Sequence, residues 1–191
     1  MNLGDNKKLT LGLIEEYSPT SQYLTDDEDI RNRLNLVYAT NYQYLSQIKK
    51  ILKTKNITIS EDDDSMEEFN LPSDLYQFKK ITALDSNNKE ITPAFKIIGK
   101  KIYINKNKGK YIIEYYAYPT DITLETKDSF ELEIDQDVQN LLPYLVANDI
   151  LKVDPSADYT AFYREYETRK DMILRERENT LSSAVVEEGI L

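Results

Sequence analysis

The apolar residues of this 191-residue chain change their repeat twice, and that change limits the fold more than any single motif. Ile30, Leu34, Val37, Tyr38, Leu45, Ile48 and Leu52 recur at spacings of three, four and seven, which describes one apolar helix face. From Ile57 the repeat shortens to two. Its clearest stretch is residues 110–118, where Ile112, Glu114, Tyr116 and Tyr118 alternate with Tyr111, Ile113, Tyr115 and Ala117. Beyond Asp135 the helical repeat returns with Val138, Leu141, Leu142, Leu145, Val146, Ile150 and Leu151. The fold class is therefore α+β, with N- and C-terminal helices packed together around a central antiparallel β-meander. Residues 1–181 read as one domain, helical over 8–55 and 135–180 and β over 57–123. Residues 182–191 lose the helical repeat and read as a C-terminal tail or arm.

Local signals set the expected boundaries. Residues 8–17 carry Leu9, Leu11, Leu13, Ile14 and Tyr17, a short amphipathic helix stopped by Ser18-Pro19. Thr25-Asp26-Asp27-Glu28 is a capping box for the long helix, expected to run from Asp26 to about Lys53, on the order of 40 Å. Acidic residues crowd its first turn, and Lys49, Lys50, Lys53 and Lys55 its last, as the helix dipole favours. Strands are expected at 57–59, 78–84, 94–98, 101–105 and 110–118, with a turn at 85–88. Gly99-Lys100 suits a two-residue type II′ hairpin turn. Pro143 should kink the helix expected from Asp135 unless that helix starts later. Asp154-Pro155-Ser156 interrupts the chain before a last helix over 157–180, with Tyr159, Phe162, Tyr163, Tyr166 and Ile173 on one face.

The chain has neither cysteine nor histidine. Thiolate chemistry, disulfides, Ser-His-Asp catalysis and His-ligated metals are excluded with them. No glycine stands in a phosphate-cradling loop, and the expected cofactors are none. Asp135, Asp137 and Asp149 could be imagined as Mg²⁺ ligands, but the first two do not converge on a helix and Asp135 serves as a cap. The expectation is a non-enzymatic protein. A net charge of −10 argues against a general nucleic-acid binder, and it would also keep passing DNA from sticking. No apolar run is long enough to span a membrane and none follows Lys7-Lys8 as a secretory signal would, so a cytoplasmic site of synthesis is expected.

Three surface features remain. The acidic stretch Glu61, Asp62, Asp63, Asp64, Glu67 and Glu68 lacks the glycine and spacing of a Ca²⁺ loop; it reads as a solvated loop, or as a lip facing a DNA channel. Lys100, Lys101, Lys106, Lys108 and Lys110 with Tyr103 and Tyr111 resemble a small nucleic-acid platform, but lysines at loop tips also keep β-proteins soluble, and no basic field surrounds them. Fifteen tyrosines, grouped at Tyr115, Tyr116 and Tyr118 and at Tyr159, Tyr163 and Tyr166, read half as protein–protein contact and half as the composition of an A+T-rich coding sequence, which would raise Lys, Asn and Ile as well.

Several segments resemble, in order, the head-to-tail connector (adaptor) proteins of tailed bacteriophages. They are Leu11-Gly12-Leu13-Ile14-Glu15-Glu16-Tyr17-Ser18, Leu24-Thr25-Asp26-Asp27-Glu28-Asp29-Ile30 and Leu71-Pro72-Ser73-Asp74. Two more follow, Tyr111 through Thr123 and Asp137 through Ala147, so the likeness covers most of the chain from about Leu9 to Thr180. The resemblance implies a virion protein at the head-tail junction, assembled in the host cytoplasm. It implies a homo-oligomeric ring, usually of twelve copies, that joins the portal protein to a further connector or tail protein. DNA is then only passing cargo, and no membrane is involved. It also implies a C-terminal arm that embraces the portal, with Val185, Val186, Ile190 and Leu191 as candidate contacts. The alternatives are a tail-completion or minor tail protein, and an acidic regulatory binding protein.

Overall fold

The structure is a computed structural model and describes residues 1–22, 24–63, 65–84, 89–105, 107–154 and 157–188, the stretch 177–188 by backbone alone. Its class is α+β, with helices at both ends of the chain and antiparallel strands between them. Contacts group it into two compact units, Met1–Lys49 with Thr120–Leu191, and Lys50–Pro119. Most of residues 57–123 fall in the second unit, and most of 8–55 and all of 135–180 in the first.

The first unit holds α1 (Leu3–Leu13), α2 (Glu28–Leu45), α3 (Gln136–Gln139), α4 (Leu142–Leu151) and α5 (Thr160–Glu188). Helix α4 is its centre. Leu142, Pro143, Leu145, Val146, Ala147, Asn148 and Ile150 are all buried, and the helix packs against α1, α2 and α5. A helix apolar around most of its circumference has to be covered on several sides. Pro143 causes no kink, because α3 ends first and the proline sits in the opening turn of α4, where its missing amide would have no helical partner.

Helix α2 starts and stops inside the expected limits. Its cap is Asp27, not Thr25: the Asp27 carboxylate accepts the Ile30 amide at 2.9 Å. Thr25 is buried, and its hydroxyl accepts the Asp27 amide at 3.1 Å, so it shapes the approach instead. Leu34, Tyr38, Asn41, Tyr42 and Leu45 are buried, and Ile30 and Ile48 are only half-buried. After Leu45 the chain turns into strand β1 (Ile51–Ile59). Ile51, Lys53, Lys55, Ile57 and Ile59 take its more buried positions, and the two lysines hid the alternation. Lys53 reaches Asp74 at 3.1 Å and Lys55 the Asn70 carbonyl at 2.6 Å. Inward lysines on an edge strand also discourage pairing with another chain.

Helix α1 covers Leu3–Leu13 rather than 8–17, capped by Asn2, whose side chain accepts the Asp5 amide at 2.8 Å. Its buried face is Leu3, Asn6, Lys7, Thr10 and Leu11, and Leu9 is exposed. Lys7 is held by Asp128 at 2.6 Å and the Thr10 hydroxyl meets that of Tyr38. At Gly4 the backbone lies against this segment: its amide donates to the Asp128 carbonyl at 2.8 Å, and a Cβ there would stand 2.8 Å from the Asp128 Cβ. At the other end, α5 is helical to Glu188, so residues 182–188 continue a helix where a tail without helical repeat was expected. No glycine or proline interrupts the chain from Ala157 until Gly189, which leaves nothing to stop it.

The second unit contains β1, β2 (Met66–Asn70), β3 (Leu75–Leu84), β4 (Glu90–Ile91), β5 (Phe95–Ile98), β6 (Lys101–Asn105) and β7 (Gly109–Ala117). One sheet has the order β1-β7-β3-β4 and the other β2-β6-β5, antiparallel throughout. Sequential hairpins are thus joined by long-range pairings, above all β1 with β7. The sheets share one core of Ile57, Ile59, Ile81, Ile102, Ile104, Tyr111, Ile113 and Tyr115, with Phe69, Phe78 and Phe95 packed on it. Gly99 has φ +60°, as the hairpin turn between β5 and β6 requires. The expected turn at 85–88 and the break at Pro155-Ser156 lie outside the described residues.

Candidate functional site

The carboxylates considered for catalysis have structural partners. Asp135 stands at the N-cap of α3 but makes no side-chain cap bond. It faces Lys49, which also lies 3.3 Å from Asp137, so a lysine ammonium occupies the space between them. Asp135 is the main cause that raises the Lys49 pKa above its ordinary value. Asp149 accepts from Asn41 at 2.9 Å and from Asn148 at 3.0 Å. Among the described residues no group of three acidic side chains is placed to hold a metal ion. Asp135→Asn should therefore leave the unfolding free energy within about 1 kcal/mol of wild type, as for an exposed pair. It should also leave assembly unchanged, which urea titration and particle sedimentation would check.

The acidic stretch is divided. Glu61, Asp62 and Asp63 lie in the connection after β1, Glu67 and Glu68 lie on β2, and Asp64 lies outside the described residues. The solvated loop read from the sequence thus covers only its first half. Register pairs Glu68 with Tyr103 of β6. Its carboxylate accepts the Tyr103 hydroxyl at 2.8 Å and binds Lys101, and Lys101 first, then Tyr103, holds it below the usual carboxylate range. Asp62 accepts the Lys108 amide.

These pairings also disperse the lysine–tyrosine platform. Tyr111 faces the core with its hydroxyl on the Asn107 carbonyl, and Lys101 is neutralised by Glu68. Lys96 lies over the Tyr103 ring at 5.3 Å. Lys106 is outside the described residues.

A contiguous apolar and aromatic patch does form on the outer face of the four-stranded sheet. Leu52 of β1 is the cross-strand partner of Tyr116 and is 51% exposed. Lys50 lies over the rings of both Tyr116 and Tyr76, at 5.2 and 5.5 Å. Tyr76 meets Tyr118 edge to face, centroids 5.0 Å apart, and both are more than two-fifths exposed. The sequence grouped Tyr116 and Tyr118 but not Tyr76 or Leu52. A register shift between Leu75 and Gln77 brings Tyr76 out of strict alternation, and such a bulge has no local sequence mark here. Tyr115 is buried instead, its hydroxyl on Asp74 at 3.1 Å. Asp74, from the Leu71-Pro72-Ser73-Asp74 segment, thereby ties β1, β3 and β7 together through Lys53, Tyr115 and the Tyr118 amide.

Beside the patch, Glu114 sits between Lys80 at 2.9 Å and Lys79 at 3.1 Å, and these two, Lys80 first, hold its carboxyl below the ordinary range. A depressed folded-state pKa stabilises above the unfolded value, about 4.3, and that contribution fades as pH falls through the folded value. Glu114→Gln should cost roughly 0.5 kcal/mol at pH 6 and close to nothing at pH 2.5. Urea midpoints measured across that range test the sign; a penalty that grew on acidification would contradict it.

In the first unit, Tyr166 is buried, while Tyr163 and Tyr44 are about half exposed. Burial is the largest cause of the raised Tyr166 pKa. The candidate arm residues Val185 and Val186 fall where the backbone alone is described, and Ile190 and Leu191 fall outside the described residues. No described helix is long and apolar enough to cross a membrane.

What the fold and these surfaces define is an α+β protein of a helical unit and a two-sheet unit, with an exposed tyrosine patch on the four-stranded sheet of the second unit. No family model matches the chain, and no curated protein sequence matches it. Among solved structures it is similar to a chain from the neck of an empty GTA particle computed with C6 symmetry. There 11% of residues are identical, 85% of this chain and 90% of that chain are covered, and the TM-score is 0.28. It is similar also to a chain from the neck of a native GTA particle computed with C12 symmetry, at 10% identity, 87% and 92% coverage and a TM-score of 0.25. Scores this low do not define a shared fold.

Proposed function

We propose that the chain is a structural virion protein of a phage-type head-to-tail junction. Copies form a ring that joins the portal to the next connector or tail ring and continues the DNA channel. The observation that carries this reading is the exposed Leu52, Tyr76, Tyr116 and Tyr118 patch with Lys50 above it. Tyrosines packed edge to face are the anchors of protein interfaces, and an apolar patch of this kind marks a surface meant to be covered. The ordered resemblance to connector proteins supplies the kind of assembly. Within the ring, Glu61, Asp62, Asp63, Asp64, Glu67 and Glu68 are the proposed channel-facing residues, with Glu68 contributing least because Lys101 offsets its charge. An acidic wall lets DNA pass by repelling its phosphates. The segment 182–191 is the proposed arm, binding a neighbouring protein of the assembly through Val185, Val186, Ile190 and Leu191.

The test is to mix purified chain with portal-bearing capsids and image the vertex. A closed ring of this chain against the portal is expected, and Tyr76→Ala with Tyr118→Ala should prevent its closure while leaving the melting temperature within a few degrees. Absence of the chain from the vertex, or one copy bound to a soluble partner, would overturn the reading.

A further inference from the structure

The helical unit carries a groove that the tyrosine patch does not involve. Leu9 and Leu13 of α1 and Pro143 and Tyr144 of α4 floor it, Lys8 and Arg169 of α5 flank it, and it encloses about 390 Å³. Leu9 is 49% exposed. At Gly12 an added Cβ would meet no atom within 4 Å, so the floor is open along that turn of α1. The Arg169 guanidinium lies over the Tyr144 ring at 4.6 Å and donates to Glu165 at 2.7 Å, while Lys8 donates to Asp5 at 3.2 Å. Those carboxylate partners sit on the same helices as the cations they bind, at exposed positions where such pairs are weak. An apolar trough between two cations is an unusual surface on a chain of net charge −10.

The end of the same chain has the matching pattern. Ala184-Val185-Val186 is followed by Glu187-Glu188 and then by Gly189-Ile190-Leu191. It cannot serve its own groove. Helix α5 is continuous from Thr160 to Glu188, which puts Glu187 about 27 Å along the axis from Arg169. We infer that residues 182–191 of one copy lie in the α1–α4–α5 groove of a second copy. The valines, Ile190 and Leu191 cover the Leu9, Leu13 and Tyr144 floor, and Glu187 and Glu188 face Lys8 and Arg169. Each copy then gives one segment and receives one, a heterologous contact that repeats into a ring or filament. The inference deepens the arm of the proposed function by naming its receptor.

The test uses two variants of the full chain. Gly12→Leu fills the trough and replaces a helix glycine by a better helix former, so it should fold and still carry the end segment. Deletion of 182–191 keeps the groove and removes the segment. By sedimentation velocity the wild type should self-associate at high micromolar concentration, each variant alone should stay monomeric, and their mixture should form a one-to-one dimer and nothing larger. Arg169→Glu should weaken self-association at least tenfold, and Glu187→Lys with Glu188→Lys should restore it. A wild type that stays monomeric, a Gly12→Leu chain that associates like wild type, or a mixture that does not pair would each overturn the inference. If the truncated chain self-associates normally but no longer attaches to portal-bearing capsids, the segment binds the portal; the inference fails and the ring reading stands.

Discussion

Tyr42→Ala should lower the unfolding free energy by about 4 to 6 kcal/mol, and Tyr42→Phe by about 1 to 2. The ring of Tyr42 is wholly buried and stands edge-on to Phe130, centroids 6.4 Å apart at 88°. Its hydroxyl accepts the Glu133 amide at 2.7 Å. Alanine removes the ring and leaves a cavity beneath α2, which alone costs roughly 3–5 kcal/mol. It also leaves a part-buried amide without its acceptor. Phenylalanine keeps the packing and loses the bond to the Glu133 amide. Urea denaturation followed by far-ultraviolet dichroism would separate the two contributions. If both variants lose the same amount, the hydroxyl rather than the ring holds the 130–133 segment against α2. A loss under 1 kcal/mol for alanine would show that the ring is not core.

That Tyr42 matters this much was not legible in the sequence, and the reason is physical. The three-four repeat located α2 and made Leu34, Tyr38 and Leu45 readable as its buried face. The same face also holds Asn35 and Asn41, whose burial depends on partners far along the chain. Asn35 donates to the carbonyls of Thr123 at 2.9 Å and Leu124 at 3.0 Å, and Asn41 donates to Asp149. Lys7 is buried for the same kind of reason, through Asp128. A polar residue satisfied by something about a hundred positions away looks, locally, like a surface residue. The candidate sites failed or survived on the same ground. Glu68 looked like one more charge in an acidic run until the β2–β6 register put Lys101 and Tyr103 beside it. The alternation in residues 110–118, by contrast, needs only its neighbours, and it located β7 to within a residue at each end. The amphipathic helix expected at 8–17 lies between these cases: Leu11 is core, but Leu9 and Leu13 line a groove, and polar Asn6 and Thr10 are buried in their place.

Alternation alone does not say which of two faces points inward, and a pair of substitutions on β7 decides it. Ile113→Ala should cost about 3 kcal/mol and Ile112→Ala no more than about 1. Ile113 is wholly buried and lies between Lys55 of β1 and Ile81 of β3, in the core shared by the two sheets. Ile112 lies on the opposite face between Asn56 and Thr82, only partly covered. Because β7 pairs with both β1 and β3, the cavity left by Ile113→Ala loosens the whole four-stranded sheet. Amide exchange should therefore speed up in β1, β3 and β7 while α4, in the other unit, keeps its protection. Equal losses at positions 112 and 113 would mean that the register is wrong by one residue, which would turn every side chain of β7 to the other face.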